Sequence, residues 1–295
     1  MKIQIGSAPD SWGVWFPSDP RQIPWSRFLD EVAEAGYEWT ELGPYGYLPT
    51  DLKVLRDELS RRHLKVCAGF VMHRLEEPGV WPRIEKEVLG LGRVLADLGA
   101  SYLVLIDDTY TNVFTGEVIA PPELDPAAWQ RLVAVTRQTA DLAKREFGLR
   151  LVFHPHADTH VEYEHQIERL LADTDPGLVS LCLDTGHHAY RGTDPVAFMR
   201  RHHQRIPYLH LKSVDPALLA RVNTERIPFG QAVGMGMFCE PSRGAVNMPA
   251  LRDLLIELDY RGFAVVEQDM FPTAFDKPLP IAKRTRAYLR EIKVG

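Results

Sequence analysis

Short β-rich runs alternate with longer amphipathic segments along the whole chain of 295 residues. This alternation is typical of a parallel sheet whose strands are connected by crossover helices. The pattern repeats eight times, and no Gly-Ser-rich or Pro-rich linker divides it. Because eight such units favour a closed barrel over an open sheet, we predict an α/β fold, a (β/α)8 (TIM) barrel that forms one domain over residues 1–295.

The periodicity of apolar residues predicts the individual elements. Strands are predicted at Ile3–Ser7, Trp39–Leu42, Lys65–Val71, Tyr102–Ile106, Arg150–His154, Val179–Leu183, Pro207–Leu211 and Phe263–Glu267. Helices are predicted at Trp25–Ala35, Leu52–Arg62, Ile84–Leu98, Ala127–Phe147, Glu164–Ala172, Met248–Leu258 and Ile281–Ile292. One long irregular stretch, Ser213–Asn247, follows the seventh strand, and a loop of this length is typical of a functional or mobile segment.

Composition and charge narrow the range of partners. The net charge of −6 argues against a concentrated basic face, so we expect no nucleic-acid partner. No stretch approaches the roughly 20 apolar residues of a membrane span, and the N-terminus enters a strand pattern directly instead of a signal peptide. We therefore expect a cytoplasmic protein without a membrane partner that acts on a small molecule, with a homo-oligomer as an open alternative. Cys67, Cys182 and Cys239 are too scattered for a disulfide framework and are expected to be reduced.

Polar side chains gather where the predicted strands end, and in a barrel the reacting groups lie at the C-terminal ends of the strands. Strands five to eight offer His154, Asp184, His210 and Glu267 around one mouth. Two imidazoles and two carboxylates suit a borderline divalent ion better than Ca2+ or an iron–sulfur cluster. The sequence therefore predicts one divalent metal ion, Mn2+ or Co2+ first, with Zn2+ or Mg2+ as alternatives.

Each of these residues also has a structural interpretation. A histidine near a strand end is often a hydrogen-bonded structural residue. Asp184 could cap the helix that follows it, and Glu267 could belong to an ion pair at the rim of the barrel. Their joint occurrence at four successive strand ends favours the metal site, because chance scatter would place some of them within helices.

Several motifs around these residues resemble a known family. They include Phe153–Thr159, Ala172–Pro176, Leu183–His187, Thr40–Gly43, Thr109–Thr111, His210–Lys212, Gly236–Phe238 and Gly262–Glu267. Together they resemble the xylose-isomerase-like TIM barrel superfamily (sugar phosphate isomerases and epimerases), and within it the inosose (2-keto-myo-inositol) dehydratases of inositol catabolism. The resemblance covers nearly the whole chain.

The resemblance implies a hydro-lyase that dehydrates an inosose or a related polyol ketone through an enediolate. The metal positions of the family fall on His154, Asp184, His210 and Glu267, and a His-rich fifth strand replaces the glutamate found there in most epimerases. Two departures lie near the expected substrate: Pro241–Gly244 includes Arg243 where the dehydratases resemble Pro-Gly-Asp-Gly, and Ser213 replaces an aspartate. Since Arg243 could pair with an anion, a sugar acid or sugar phosphate stays open as the substrate.

Dehydration needs a base that removes an α-proton and an acid that protonates the departing hydroxyl. Glu41, His187 and Lys212 are the candidate catalytic residues, with their roles left open. Burial and the nearby cation are expected to move the pKa of Lys212 toward a useful value. The candidate substrate contacts are His156, Trp12, Phe238 and Arg243. The stretch Ser213–Asn247 is expected to cover the site as a lid.

Three other functions are compatible with parts of this pattern. A metal-dependent ketose or sugar isomerase or epimerase would use the same enediolate, but it usually presents a glutamate on strand five where this chain has His154. An endonuclease-type barrel that binds abasic DNA would need more zinc ligands and a basic face. A non-catalytic sugar-binding barrel would have no use for a complete metal set.

Overall fold

The computed structural model describes residues 2–295 and contains a closed barrel of eight parallel strands. The ten strands in chain order are β1 Lys2–Ser7, β2 Trp39–Glu41, β3 Lys65–His73, β4 Tyr102–Asp107, β5 Arg150–Phe153, β6 Val179–Asp184, β7 Tyr208–Leu211, β8 Ser213–Val214, β9 Phe238–Cys239 and β10 Arg261–Val266. Strands β1 to β7 lie in sequence order, and β10 closes the barrel between β7 and β1. The predicted fold is confirmed, since each of the eight predicted strands overlaps a barrel strand.

Eleven α-helices are present in residues 2–295. They are α1 Trp25–Glu34, α2 Leu52–Ser60, α3 Trp81–Asp97, α4 Pro126–Phe147, α5 Glu164–Asp173, α6 Thr185–Tyr190, α7 Pro195–His202, α8 Pro216–Glu225, α9 Phe229–Gly234, α10 Met248–Glu257 and α11 Pro278–Glu291. The seven predicted helices correspond to α1–α5, α10 and α11. The short helix α6 was not predicted, because its six residues are too few to show an apolar period; the carboxylate of Asp184 caps it by accepting from the N–H groups of Gly186 and His187.

The segment Ser213–Asn247, predicted to be irregular, is largely folded. It contains α8, α9 and a two-stranded antiparallel sheet in which Ser213 pairs with Cys239 and Val214 with Phe238. Local signals begin α8, because Asp215 caps it and Pro216 occupies its first turn. We call residues 213–247 the cover segment. It is a packed layer after β7, so any lid movement would displace ordered elements rather than an irregular loop.

The core has two layers. Inside the barrel, alternate strand residues such as Ala68, Val104, Val152, Cys182 and Val265 pack against one another. A larger cluster fills the space between the strands and the surrounding helices. Among residues 2–295, no helix is both long and apolar enough to cross a membrane. All three cysteines are free.

Candidate metal centre and active site

The C-terminal ends of β5, β6, β7 and β10 bring four ionisable side chains together. Asp184 is the last residue of β6 and pairs in register with His210 of β7, whereas His154 and Glu267 directly follow β5 and β10. One donor atom from each side chain lies within 4.8 Å of the others, and all four residues are buried. The four predicted metal ligands therefore share one small volume.

The chemistry of this set fits a divalent cation. The Nδ1 atoms of His154 and His210 are buried and have no hydrogen-bond partner within residues 2–295. His210 Nδ1 does lie 3.1 Å from Glu267 Oε2, but without hydrogen-bond geometry. Buried polar atoms without a partner are uncommon in proteins, and mixed nitrogen and oxygen ligands suit Mn2+, Co2+ or Zn2+. These residues could hold such an ion, and the donor set does not distinguish among the three metals.

The Cys182 thiol also lies close to both imidazoles, within a second group of possible donors formed with His154 and His210. Burial raises the pKa of Cys182 to about 12. The carboxylate-containing set supplies four donors against three in the thiol-containing set, so it is the better candidate.

Lys212 is buried among the carboxylates of this centre. Its Nζ lies 3.0 Å from Asp184 Oδ2, 2.7 Å from Glu267 Oε2 and 2.9 Å from Asp269 Oδ2. Burial alone lowers the pKa of Lys212, but the three carboxylates outweigh it and raise the pKa well above its ordinary value. The predicted shift of the Lys212 pKa toward a useful value depends on a bound cation, so it stays a prediction. Here the ammonium is a fixed counter-charge.

Glu41 lies beneath the centre at the end of β2. Its Oε1 accepts a hydrogen bond from Tyr208 Oη at 2.9 Å and lies 2.8 Å from His210 Nε2. A carboxylate that binds the second nitrogen of a metal-binding histidine fixes the tautomer and orientation of the ring. Glu41 is thus placed to orient His210 while also lining the cavity.

His156 and His187 form a second pair of imidazoles beside the centre. Their ring centroids are 3.9 Å apart, and the Lys212 ammonium donates to His187 Nε2 at 3.2 Å. Burial, the neighbouring His156 ring and the Lys212 charge hold the pKa of His187 well below its ordinary value. Burial, His154 and Lys212 lower the pKa of His156 to about 3. Both rings are neutral at neutral pH. Nδ1 of His156 donates to the carbonyl oxygen of Ala157 at 2.8 Å, so its Nε2 can accept a proton, whereas both nitrogens of His187 face donors, Lys212 Nζ and the N–H of Ala157.

Two carboxyl groups in the cavity were not predicted as site residues. Asp10 follows β1, and its pKa is raised well above the ordinary value by burial and by the charges of Glu267 and Asp269. Burial, only partly offset by Lys212, raises the pKa of Asp269 to about 6. Both residues line the cavity. The strand-end rule could have identified Asp10, because this residue lies three positions after the end of β1.

Aromatic side chains surround the mouth of the cavity, which has a volume of about 270 Å3. Trp15 stacks on Phe271 at 5.2 Å and on Phe229 at 6.4 Å between ring centroids, and Phe114 closes the group at 6.0 Å from Trp15. Phe229 belongs to the cover segment and also stacks on His187. The cavity thus combines a polar floor with largely apolar walls.

Three of the four predicted substrate contacts are placed elsewhere. Trp12 is fully buried, donates from Nε1 to Glu31 Oε2 and packs edge-on against Phe28, so it cannot reach the cavity. Phe238 packs behind His187 and Lys212 without lining the cavity. Arg243 is exposed and faces a different cavity. Of the four, His156 alone lines the cavity above the metal centre.

A separate buried cluster contains Glu76, Asp107 and His160. His160 Nδ1 lies 2.7 Å from Asp107 Oδ2, and Nε2 donates to the carbonyl oxygen of Pro121 at 3.0 Å. Both ring nitrogens are therefore engaged, which leaves none for a metal ion. Burial lowers the pKa of His160, but the hydrogen bond and charge of Asp107 outweigh it and raise the pKa. The hydrogen bonds of His160 connect the loop after β4 to the loop after β5.

Residues 29–292 match the model of the xylose isomerase-like TIM barrel family. The chain belongs to this family. Among curated relatives, the inosose dehydratase of Geobacillus kaustophilus (strain HTA426) is 33% identical over 97% of this chain and 94% of its own length. That of Halalkalibacterium halodurans is 32% identical over 99% of this chain and 95% of its own length. These full-length matches identify the chain as an enzyme.

Solved structures share the architecture at lower identity. The IOLI protein, crystallised with a bound zinc atom, superimposes with a TM-score of 0.72 at 16% identity, covering 99% of this chain and 98% of that chain. The probable 3-DHS dehydratase AsbF of Bacillus anthracis gives a TM-score of 0.70 at 16% identity, covering 98% and 99%. At these identities the likeness shows the fold alone.

Proposed function

We propose that this protein is a metal-dependent hydro-lyase that removes water from an inosose (2-keto-myo-inositol) or a related polyol ketone. The observation that carries the proposal is the buried set of His154, Asp184, His210 and Glu267. Three of its members line a cavity that also holds a neutral imidazole and a carboxyl of raised pKa. The curated relatives named inosose dehydratase support the choice of substrate.

The shape of the cavity suits a six-membered polyol ring. Its floor carries the ionisable groups, and its walls include Trp15, Phe229 and Phe70. Aromatic rings can pack on the C–H faces of such a ring while hydroxyls on its edge reach the polar floor. A ketone oxygen and a neighbouring hydroxyl would therefore point toward His154 and Glu267.

A divalent ion held by His154, Asp184, His210 and Glu267 would supply Lewis-acid stabilisation of the negative charge that develops on the ketone oxygen. Glu41 keeps the His210 ring oriented by its hydrogen bond to Nε2. The ammonium of Lys212 balances the carboxylate charges and donates to His187. The centre is thus preorganised by residues of the chain itself.

We assign the proton acceptor to His156 and the proton donor to Asp10, which both line the cavity. Nδ1 of the neutral His156 ring donates to the carbonyl oxygen of Ala157, so its Nε2 is free to take the proton from the carbon beside the ketone. His187, whose Nε2 accepts from Lys212, packs against the His156 ring. The Asp10 carboxyl, whose pKa is raised by burial and by neighbouring carboxylates, gives its proton to the departing hydroxyl, so that water leaves. The electrons of the broken C–H bond form the new double bond.

The two protons balance, because His156 gains one and Asp10 loses one. Both residues line the cavity, so proton exchange with water after the product leaves restores the neutral imidazole and the Asp10 carboxyl. Lys212 takes no part in this transfer, because three carboxylates hold its ammonium.

The test is direct turnover of the purified protein loaded with Mn2+ or Co2+. With 2-keto-myo-inositol as substrate, mass spectrometry should show a product lighter by one water. A product of unchanged mass and altered stereochemistry would instead identify an isomerase or epimerase. Recovery of the unaltered inosose both with Mn2+ and with Co2+ would contradict the proposal.

A further inference from the structure

A second cavity lies on the outer side of the cover segment, between that segment and the start of α11. Its volume is about 310 Å3, and no residue that lines it also lines the cavity above the metal centre. Its wall includes Gly234 and Gly236 of the cover segment, Thr273 and Lys277 of the loop after β10, and Ile281 of α11. Phe238 separates the two cavities, because it lines this one and packs against His187 and Lys212 with its ring.

The charges around this cavity favour an anion. Its two acidic residues already have partners within the protein. Asp215 accepts from backbone N–H groups at the start of α8, and Glu240 forms a bidentate ion pair with Arg284. Its two basic residues, Arg243 and Lys277, have no ion pair or side-chain hydrogen bond within residues 2–295. Lys277 also directly precedes α11, whose fourteen residues present the positive end of the helix dipole here.

A buried polar atom marks the inner end of the cavity. Gln268 is 8% exposed, and its Oε1 is buried with no hydrogen-bond partner within residues 2–295. Its Nε2 donates to the carbonyl oxygen of Phe238, which fixes the direction of the amide. A buried acceptor of this kind requires a donor. A ligand hydroxyl in the cavity would supply one.

From these features we infer that this cavity is a second binding site, distinct from the metal centre, for a small anionic polyol that carries a phosphate or a carboxylate. The anionic group contacts Arg243, Lys277 and the first turn of α11, and a hydroxyl donates to Gln268 Oε1. The loops after the seventh and eighth strands, together with a nearby helix start, frequently bind phosphate in (β/α)8 barrels. Phe238 and Gln268 connect the site to the metal centre, since Gln268 directly follows Glu267 in the chain.

Titration calorimetry on the full-length, metal-loaded protein tests this inference. The ligands are inorganic phosphate, sorbitol 6-phosphate and gluconate, with uncharged sorbitol as the control ligand. At least one anion should bind saturably with one site per chain. Preference for sorbitol 6-phosphate or for gluconate then identifies the anionic group. Sorbitol itself should bind far more weakly.

Substitutions in the wall of the second cavity test where the anion binds. The double substitution Arg243→Gln with Lys277→Gln should weaken anion binding about tenfold or more, because two charge-assisted contacts are lost. The matched control is Arg93→Gln, which removes an exposed cation of α3, and it should leave binding unchanged. Gln268→Met should reduce the preference for sorbitol 6-phosphate over inorganic phosphate.

Anion binding that survives the double substitution, or that is absent in the wild-type protein for all three ligands, would overturn the inference. An unchanged ligand preference in Gln268→Met would overturn the placement of the hydroxyl. The titration needs no turnover, so its result is independent of the inosose assay.

Discussion

Lys212 shows how the chemistry of one residue depends on neighbours that are remote in sequence. Its position beside His210 follows from alternation along a strand, which the sequence reveals. Its charge state depends on Asp184, Glu267 and Asp269, which arrive from β6 and from the end of β10. Because the three carboxylates surround Nζ, the ammonium stabilises the centre in the absence of an ion.

Removing the charge of Lys212 should destabilise the metal-free protein more than the metal-bound protein. In Lys212→Met, the carboxylates lose their buried partner, which should lower the free energy of unfolding of the chelator-treated protein by about 3–5 kcal/mol. Mn2+ should then raise the melting temperature of this variant more than that of the wild type. Differential scanning calorimetry with EDTA and with Mn2+ measures both effects, with Lys86→Met, an exposed position, as the control. Equal stabilisation of the variant and the wild type by Mn2+ would refute this role.

Asp10 is the residue whose proposed role depends most on its protonation. Asp10→Asn should lower kcat for inosose about 10²–10⁴-fold, the usual contribution of a positioned acid, and leave the Mn2+ content unchanged. Asp108→Asn is the matched control, because Asp108 lines the same cavity but bonds to the N–H of Thr109. Steady-state kinetics on both variants decides the matter: a wild-type kcat in Asp10→Asn would exclude Asp10 as the donor.

The elements that follow the barrel strands shape the cavity by binding one another. The loop after β4 carries Asp108, Thr109 and Phe114 into the cavity. It is attached to the loop after β5 by the Asp107–His160 pair and by Tyr110, whose hydroxyl donates to Glu162. These contacts join residues about 50 positions apart, so local sequence patterns could not predict them.

The Asp107–His160 pair should make stability depend on pH in a defined direction. The folded-state pKa of His160 lies above its unfolded value of about 6.5. The stabilisation is therefore fully present below about pH 6.5 and is lost as the pH rises through the folded-state pKa. Urea denaturation of wild type and His160→Gln should show a larger difference at about pH 6 than at about pH 9. His165→Gln, at an exposed histidine of α5, should show no such trend; a difference that grows with pH would contradict the assignment.

The cover segment supplies one wall of the cavity through Phe229, which stacks on Trp15 and His187. Phe229→Ala should reduce kcat/KM by about tenfold or more, or ~1.4 kcal/mol, while the Mn2+ content stays unchanged. Met235→Ala changes an exposed residue of the same segment and serves as the control. Unaltered kinetics in Phe229→Ala would show that the segment does not contribute to substrate binding.

At the scale of the whole molecule, the sequence predicts the barrel and the convergence of four strand ends, because both follow from periodicity and from the geometry of a closed sheet. His154, Asp184, His210 and Glu267 were found in this way. The directions of Trp12 and Arg243 could not be predicted, since a strand-end rule does not apply within loops. The fold of residues 213–247 was missed for the same reason, whereas Asp10 lies close enough to the end of β1 for the rule to have found it.

The central claim is that one divalent ion binds at the mouth of the barrel. Equilibrium dialysis against Mn2+, followed by elemental analysis, should give about one ion per chain for the wild type and none for Asp184→Ala. Circular dichroism of this variant should show an intact fold, because barrel stability resides mainly in the core and the opposite face. Glu76→Gln alters the other buried acidic cluster and should retain the ion. Retention of a full equivalent by Asp184→Ala, or its loss from Glu76→Gln alone, would place the metal elsewhere and contradict the proposed centre.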